Sequence, residues 1–326
     1  MKIVKFKWAA ACLFAFAIGS CEKNFKNDLP VITNNGLYDL YLYNVAAKTN
    51  TRITNSPDTP EGFYTFSRDS RKILFNADTN TYLINIDGTG KTRFAIRLSE
   101  PAYSFDGKEI AYTKDGDVYI INSDGTNNHQ LTQGDIGLWK PVWSKDGQKI
   151  ACSSDHGLCI VSPEGKVDNI IPENSATWYD WSSDSKKLVY SKFVYSYAQV
   201  FKYDVSEKTE TQLTSTSRFN YEPFWMPGKD EILFGSSLNG SGSDLMLMNA
   251  DGSQQKTIVH KNLIHSPYWS PDGKQITFIT DNLNVAIIDL TGDNFHIIND
   301  IPGACIEPEW SPDGKYILYY RAIYYN

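Results

Sequence analysis

Short apolar runs alternate with tight polar turns along most of this chain, and the pattern repeats. In the clearest unit, PYWSPDGKQITFIT from Pro267, two mostly apolar runs flank a Ser-Pro-Asp-Gly turn. Proline presets the second turn position, aspartate tolerates the third, and glycine takes the left-handed conformation that follows. The unit therefore predicts two antiparallel strands joined by a type I turn with a bulge.

Six further copies share the same arrangement of aromatic residue, turn and apolar run. They are FYTFSRDSRKILFN from Phe63, PAYSFDGKEIAYT from Pro101, PVWSKDGQKIACS from Pro141, WYDWSSDSKKLVYS from Trp178, PFWMPGKDEILFG from Pro223 and PEWSPDGKYILYY from Pro308. The turn aspartates from Asp69 to Asp184 lie 37, 40 and 38 residues apart, and Asp313 follows Asp272 by 41. A sustained period of about 40 residues with four strands per period is typical of β-propeller blades.

The two ends of the chain complete each other in this pattern. The unit from Pro308 has only two strands before the chain stops, whereas Leu37–Asn44 and 51–54 resemble an orphan third and fourth strand. We therefore predict an all-β fold, a single seven-bladed β-propeller over residues 36–326, closed by pairing the N-terminal strands with the C-terminal blade. A six-bladed ring is the alternative, because residues 226–230 depart from the turn pattern.

One large aromatic residue recurs in the first strand of each unit. Because a single sheet cannot cover its own faces, stacked blades need such residues between them. We therefore assign this set to the core rather than to a ligand site: Phe66, Tyr103, Trp143, Trp181, Trp225, Trp269 and Trp310.

Composition and charge limit the classes of partner that this chain is expected to bind. The chain is 41% hydrophobic and 13% aromatic, which is enough for a large core, and its formal net charge is −7. It has no run of lysine and arginine, so we expect no nucleic-acid partner. We also expect a monomer without a cofactor.

The N-terminus carries the features of a targeting segment. Lys2, Lys5 and Lys7 precede an apolar stretch from Trp8 that is too short to span a bilayer. The stretch ends in Ile-Gly-Ser-Cys, which resembles a bacterial lipobox, with Cys21 as the residue to be acylated. We predict a lipoprotein signal peptide over residues 1–20, a polar tether over 21–35, and anchoring in the cell envelope, in the outer membrane, with the periplasmic or surface face left open. An ordinary cleaved signal peptide is the alternative.

Two cysteines flank a short turn. Cys152 and Cys159 lie on adjacent predicted strands, so a cross-strand disulfide could form in an exported protein. The alternative is a pair of buried thiols, because a short hairpin strains disulfide geometry.

The units resemble the PD40 repeats, also called WD40-like β-propeller repeats, of the TolB family and of the N-terminal propellers of prolyl oligopeptidases. The sequences WSPDGK from Trp269 and WSPDGK from Trp310 carry the resemblance most clearly, and it extends over roughly residues 36–326. It implies a binding or scaffolding propeller. It implies no peptidase activity, because the chain lacks the Gly-x-Ser-x-Gly motif of the hydrolase domain.

Oligogalacturonate lyases are also propellers of this repeat type, and they bind a divalent metal through histidines. The five histidines here form no closely spaced pair, and only His265 precedes an innermost strand. We therefore predict no catalytic residue and no metal site. A metal-dependent carbohydrate-active enzyme is the alternative function.

The residues that start the innermost strands should surround the mouth of a central channel. They are acidic and aromatic, and would favour a cationic loop or peptide, or a stacked sugar. The candidate partner-binding residues are Glu61, Glu100, Lys140, Trp178, Glu222, His265 and Glu307. In the alternative interpretation, the glutamates are part of the repeat and bond to the neighbouring blade. We therefore predict a non-catalytic envelope lipoprotein that binds a protein, a peptide or a glycan.

Overall fold

The computed structural model describes eight stretches of the chain, all within one compact unit, Gly36–Asn326. These stretches are residues 37–55, 61–134, 136–172, 177–238, 243–260, 265–280, 282–299 and 305–323. The predicted signal peptide, Cys21 and the tether lie outside them. Within them, no helix is long and apolar enough to cross a membrane.

The described residues form strands joined by turns, without helices. In chain order the strands are β1 (Leu37–Asn44), β2 (Thr49–Arg52), β3 (Glu61–Phe66), β4 (Lys72–Ala77), β5 (Asn80–Asn85), β6 (Thr92–Ile96), β7 (Ser99–Tyr103), β8 (Glu109–Lys114), β9 (Asp117–Asn122), β10 (His129–Gln130), β11 (Trp139–Trp143), β12 (Ile150–Ser154), β13 (Gly157–Val161), β14 (Val167–Pro172), β15 (Thr177–Trp181), β16 (Lys187–Val194), β17 (Tyr197–Asp204), β18 (Thr209–Gln212), β19 (Phe219–Trp225), β20 (Glu231–Ser237), β21 (Asp244–Asn249), β22 (Lys256–His260), β23 (His265–Trp269), β24 (Gln275–Ile279), β25 (Val285–Asp289), β26 (His296–Ile297), β27 (Cys305–Trp310) and β28 (Tyr316–Ile323).

These strands make seven antiparallel four-stranded sheets, which are the blades of a seven-bladed β-propeller. Blades 1 to 6 each use four consecutive strands, from β3–β6 to β23–β26. The first strand of a blade contacts the first strands of its neighbours, so it is the innermost one. Seven blades are therefore confirmed, and the six-bladed alternative is wrong.

Blade 7 is built from both ends of the described chain, as predicted. Its order is β2-β1-β28-β27, and β1 pairs with β28 along its full length, from Leu37 opposite Ile323 to Asn44 opposite Tyr316. The N-terminal strands thus cover what would otherwise be an open sheet edge.

The core lies between the blades. Each of seven buried clusters in the described residues draws its members from two neighbouring blades, including one that joins blade 7 to blade 1. Trp181, which is fully buried, packs between blades 3 and 4 in this way. Six of the seven repeated aromatics are buried and Trp143 is half-buried, which confirms their assignment to the core.

The turn after each first strand follows the predicted mechanism. The Ser270 hydroxyl donates to Asp272 Oδ1 at 2.7 Å, and the amide of Gly273, at φ +69°, donates to the Ser270 carbonyl at 2.9 Å. Blade 5 has no serine or aspartate at these positions, but Gly228 takes φ +69° one position earlier and the turn still closes. The departure at residues 226–230 therefore changes the turn and keeps the blade.

The second turn of a blade packs against the outer strand of the preceding blade. At Gly165, with φ +79°, an added Cβ would lie 1.9 Å from the Leu131 carbonyl oxygen of blade 2. Gly147, in the first turn of the same blade, has φ +69° and nothing within 4 Å of its Cβ position. Both glycines are required by backbone conformation, but only Gly165 is also required by space.

We predict that Gly165→Ala destabilises the protein much more than Gly147→Ala. Gly147→Ala should cost about 1–2 kcal/mol, which is the strain of a left-handed alanine. Gly165→Ala adds a collision with backbone and should cost more than about 3 kcal/mol. Urea denaturation followed by tryptophan fluorescence measures both. Equal losses of stability in the two variants would show that the contact between Gly165 and Leu131 relaxes enough to accommodate a Cβ atom.

Candidate docking site at the channel mouth

Every innermost strand carries a β-bulge near its start. The pairing of first and second strands shifts register there in all seven blades. Five of the bulges contain a proline, which lacks an N–H and is tolerated where the ladder is interrupted. Six described bulge residues have a left-handed backbone, with φ between +44° and +55°: Glu100, Lys140, Trp178, Glu222, Ser266 and Glu307.

These residues lie on one face of the ring. Because successive strands are antiparallel, the first strands start on the face that also carries the hairpins between second and third strands. We call it the mouth face. The Ser-x-Asp-Gly turns and the turns between third and fourth strands lie on the opposite face, which we call the turn face.

Lys140 is the electrostatic centre of the mouth. Burial lowers the pKa of its ammonium group, while Glu100, Glu222 and Glu307 each raise that pKa by attraction. The structure thus brings four of the predicted residues, from blades 2, 3, 5 and 7, into one charged group. Three carboxyl groups therefore interact with one ammonium group at the mouth.

Two of the three glutamates link neighbouring blades. Glu100 Oε2 accepts a hydrogen bond from the Lys140 backbone N–H at 2.5 Å, and Glu222 Oε2 accepts one from the Ser266 backbone N–H at 2.8 Å. Each bond joins a bulge to the bulge of the next blade. The structural interpretation of the repeated glutamate is therefore correct for these two residues.

Glu307 differs from the other two glutamates. Its side chain is exposed, and within the described part of the chain it makes no hydrogen bond or ion pair. Burial of the carboxyl group among the inner strands nevertheless raises its pKa, and attraction to Lys140 opposes that shift. A carboxylate that water can reach, but that protein largely surrounds, is available to an incoming cation.

Two aromatic residues occupy bulge positions on the same face. Trp178 is half-buried at its left-handed bulge position, and Phe63, at the equivalent position in blade 1, is 42% exposed. The Tyr179 hydroxyl is buried and donates to the Lys140 carbonyl, while the Lys140 ammonium lies 5.9 Å from the Tyr179 ring centre. Hydrogen bonds to Glu100 and Tyr179 thus hold the Lys140 backbone, and the Tyr179 ring lies near its ammonium group.

Two predicted mouth residues cannot be placed fully. Glu61 and His265 begin β3 and β23, as expected, but their side chains lie outside the described part of the structure. Among the residues that are described, no group of three or more His, Cys, Asp or Glu is arranged to hold a metal ion.

The two blade 3 cysteines form a directly opposed pair. Cys152 on β12 faces Cys159 on β13, and both are buried free thiols. Cys159 Sγ lies 3.3 Å from Ser154 Oγ, to which it donates. The suggested disulfide is therefore not formed in this structure, and its formation on oxidation stays a prediction.

Comparison with known proteins agrees with this architecture. The profile of the PD40 family, described as the TolB β-propeller domain, matches residues 79–262, more than half of the chain. The chain belongs to this family. A search among curated proteins finds no matching sequence.

Solved structures share the fold at low identity. A protein of Agrobacterium tumefaciens assigned as TolB is 18% identical, with a TM-score of 0.61 over 89% of this chain and 99% of its own. An oligogalacturonate lyase in complex with manganese is 14% identical, with a TM-score of 0.69 over 89% and 96%. TolB from Acinetobacter baumannii is 15% identical, with a TM-score of 0.53 over 88% and 64%. Because enzymes and non-enzymes both appear, these similarities establish the fold alone.

We predict a pH-dependent stability to which Glu222 contributes. Burial raises the pKa of Glu222 from 4.5 to about 7, against the opposing effects of the Ser266 N–H and Lys140. Between these two values the folded protein holds a proton that the unfolded chain has lost, so the free energy of unfolding falls as pH rises. Glu222→Gln keeps the acceptor oxygen and removes the titration. Its advantage over the wild type should be near zero at pH 4.5 and grow to about 3 kcal/mol at pH 8.

Urea denaturation of both proteins from pH 4.5 to 8 measures this difference. A difference that stays constant over that range would contradict the raised pKa of Glu222.

Proposed function

We propose that this protein is a non-catalytic binding or scaffolding module of the bacterial cell envelope, and that its partner docks on the mouth face of the propeller. The observation that carries the proposal is the Glu307 carboxyl group, which is exposed and makes no hydrogen bond or ion pair among the described residues, although Lys140 attracts it. The other two carboxyl groups of the mouth are engaged in holding neighbouring blades together.

The chemistry of the mouth favours a cationic partner. Three glutamates interact with one lysine, and where their carboxyl groups are ionised the negative potential attracts a cation. A lysine or arginine side chain of a protein or peptide could reach Glu307, while Phe63 and Trp178 supply aromatic contact area. Because the blades are rigid and the bulges are fixed by hydrogen bonds, docking would cost little ordering of this surface.

We further propose that Cys21 anchors the propeller by lipid to the outer membrane. The support is the sequence alone: a lysine-containing start, a short apolar stretch and small residues before the cysteine. Several acyl chains on one residue hold a protein stably at a membrane, and the segment that follows is polar.

Site-specific photo-crosslinking in cells tests the docking face. Replacing Phe63 with p-benzoylphenylalanine puts a near-isosteric probe at the mouth, and Phe105, 53% exposed in a turn on the turn face, is the matched control position. We expect a discrete adduct from position 63 and none from position 105. Adducts from position 105 alone would place the partner on the turn face instead of the mouth face and would overturn the proposal.

Charge reversal then tests the role of Glu307. Introduced with the probe at position 63, Glu307→Lys should remove the adduct. Glu207→Lys makes the same charge change at an exposed position of a turn-face loop and should leave the adduct intact. Unfolding curves of the purified variants confirm that both are folded. An adduct that survives Glu307→Lys would exclude Glu307 as a partner contact.

Metabolic labelling with palmitate tests the anchor. The wild-type chain should take up label and remain with the membrane fraction, because Cys21 carries the acyl chains. Cys21→Ala should lose the label and pass into the soluble fraction, whereas Cys12→Ala, within the apolar stretch, should behave like the wild type. Labelling of the Cys21→Ala protein would show that this residue is not the lipid site.

A further inference from the structure

The hairpin between the second and third strands of blade 4 is long. Its strands β16 and β17 have eight residues each, as do the corresponding β28 and β1 of blade 7, whereas those of blades 1, 2, 3, 5 and 6 have five to seven. The tip of this hairpin, residues 195 and 196, therefore extends on the mouth face.

Tyr195, at the tip of this hairpin, combines two unfavourable features. Its side chain is 100% exposed, and its backbone is left-handed, with φ +55°. Glycine or asparagine takes this conformation at little cost, whereas a bulky aromatic residue there is an outlier. The same left-handed conformation recurs in the corresponding hairpins at Asp78, Asp115 and Leu283, so the turn itself requires it. The feature particular to Tyr195 is a fully exposed aromatic ring at such a position, which is available to stack on a ligand.

A cleft of about 300 Å³ opens beside this tip, at the junction of blades 4 and 5. Its walls are the hairpin end, residues 194–197, with Gln199 and Gln212 and the loop residues Ser215 and Thr216. All of these side chains are uncharged. The volume is at the lower end of the range for small-molecule sites.

The floor of the cleft is held rigidly. Gln199 is buried, and its amide nitrogen donates to the carbonyls of Thr216 at 3.0 Å and Arg218 at 2.9 Å. The Tyr197 ring packs edge-on against Phe219 of blade 5, with 5.2 Å between ring centres. The cleft is therefore preformed, and a ligand would not have to order it.

The rim of the cleft offers unused hydrogen-bonding groups. Within the described part of the chain, the hydroxyls of Ser196 and Ser215 make no hydrogen bond, and neither does Gln212 Oε1. Only the amide nitrogen of Gln212 is engaged, donating to the Thr214 carbonyl at 2.7 Å. Hydroxyl and amide groups can both donate to and accept from sugar hydroxyls.

We propose that this cleft binds one neutral pyranose unit of a glycan. The C–H bonds on one face of a pyranose carry partial positive charge and match the negative face of a tyrosine ring. Tyr195 supplies that ring, and Ser196, Ser215 and Gln212 bond the sugar hydroxyls. The uncharged walls give no counter-ion to a uronic acid or a charged peptide. This site is separate from Glu307 and does not depend on a partner at the channel mouth.

Saturation-transfer NMR with neutral oligosaccharides tests the proposal. The probes are cellohexaose, maltohexaose, mannohexaose and xylohexaose at millimolar concentration, with hexagalacturonate as the charged comparison. We expect transfer to at least one neutral probe and a Kd for it, measured by titration calorimetry, that is lower than for hexagalacturonate. No transfer to any neutral probe, or tighter binding of hexagalacturonate, would overturn the proposal.

Two variants separate stacking from a general effect of the hairpin. Tyr195→Asn suits the left-handed backbone, so it should leave the thermal unfolding midpoint unchanged or higher while weakening sugar binding about tenfold or more. Phe193→Ala removes a 48% exposed ring from the same hairpin, at a position whose side chain points to the other side of the sheet from Val194, and should leave binding unchanged. Unchanged binding by Tyr195→Asn would refute the role of Tyr195.

Glu307→Lys distinguishes this site from the proposed docking function. It should remove the crosslink at the channel mouth and leave sugar binding unchanged. A loss of sugar binding in this variant would place the sugar at the mouth instead of the cleft. Displacement of the bound sugar by a neutral aromatic peptide would assign the cleft to peptides and equally overturn the proposal.

Discussion

Each blade of this propeller has two apolar faces, and only another blade can cover them. All seven core clusters of the described structure lie between blades, so burial of apolar surface is complete only in a closed ring. Closure in turn determines where the inner strands start and which side chains meet at the axis. The charged group around Lys140 exists because ring closure brings the inner strands of blades 2, 5 and 7 towards that of blade 3.

Much of this fold could be predicted from the sequence, because its determinants are local and repeated. The Ser-x-Asp-Gly turn is encoded within six residues, as the bonds among Ser270, Asp272 and Gly273 show. The missing strands at one end and the extra strands at the other predicted blade 7 correctly. The six-bladed alternative arose because residues 226–230 lack the Ser-x-Asp-Gly pattern. A different turn, with the left-handed residue one position earlier at Gly228, joins the same two strands.

The site was less predictable, because its properties depend on neighbouring blades. Spacing alone could not show that Glu100 and Glu222 bond to the next bulge while Glu307 finds no partner among the described residues. The sequence analysis did not predict the bulges near the start of the innermost strands. The prolines inside those strands are a signal of interrupted pairing that could have indicated them. The cleft beside Tyr195 was also missed, since it depends on the length of one hairpin and on a loop that is remote in sequence.

The pairing of β1 with β28 has a consequence for the order of folding. Leu37 lies opposite Ile323, so β1 can form its pairing only after β28, the last strand of the described chain, has been synthesised. Before that step the ring is incomplete, and its unpaired strand edges can pair with other chains. Ring closure through β1 and β28 is therefore the step that pairs both edges and lowers the tendency to aggregate.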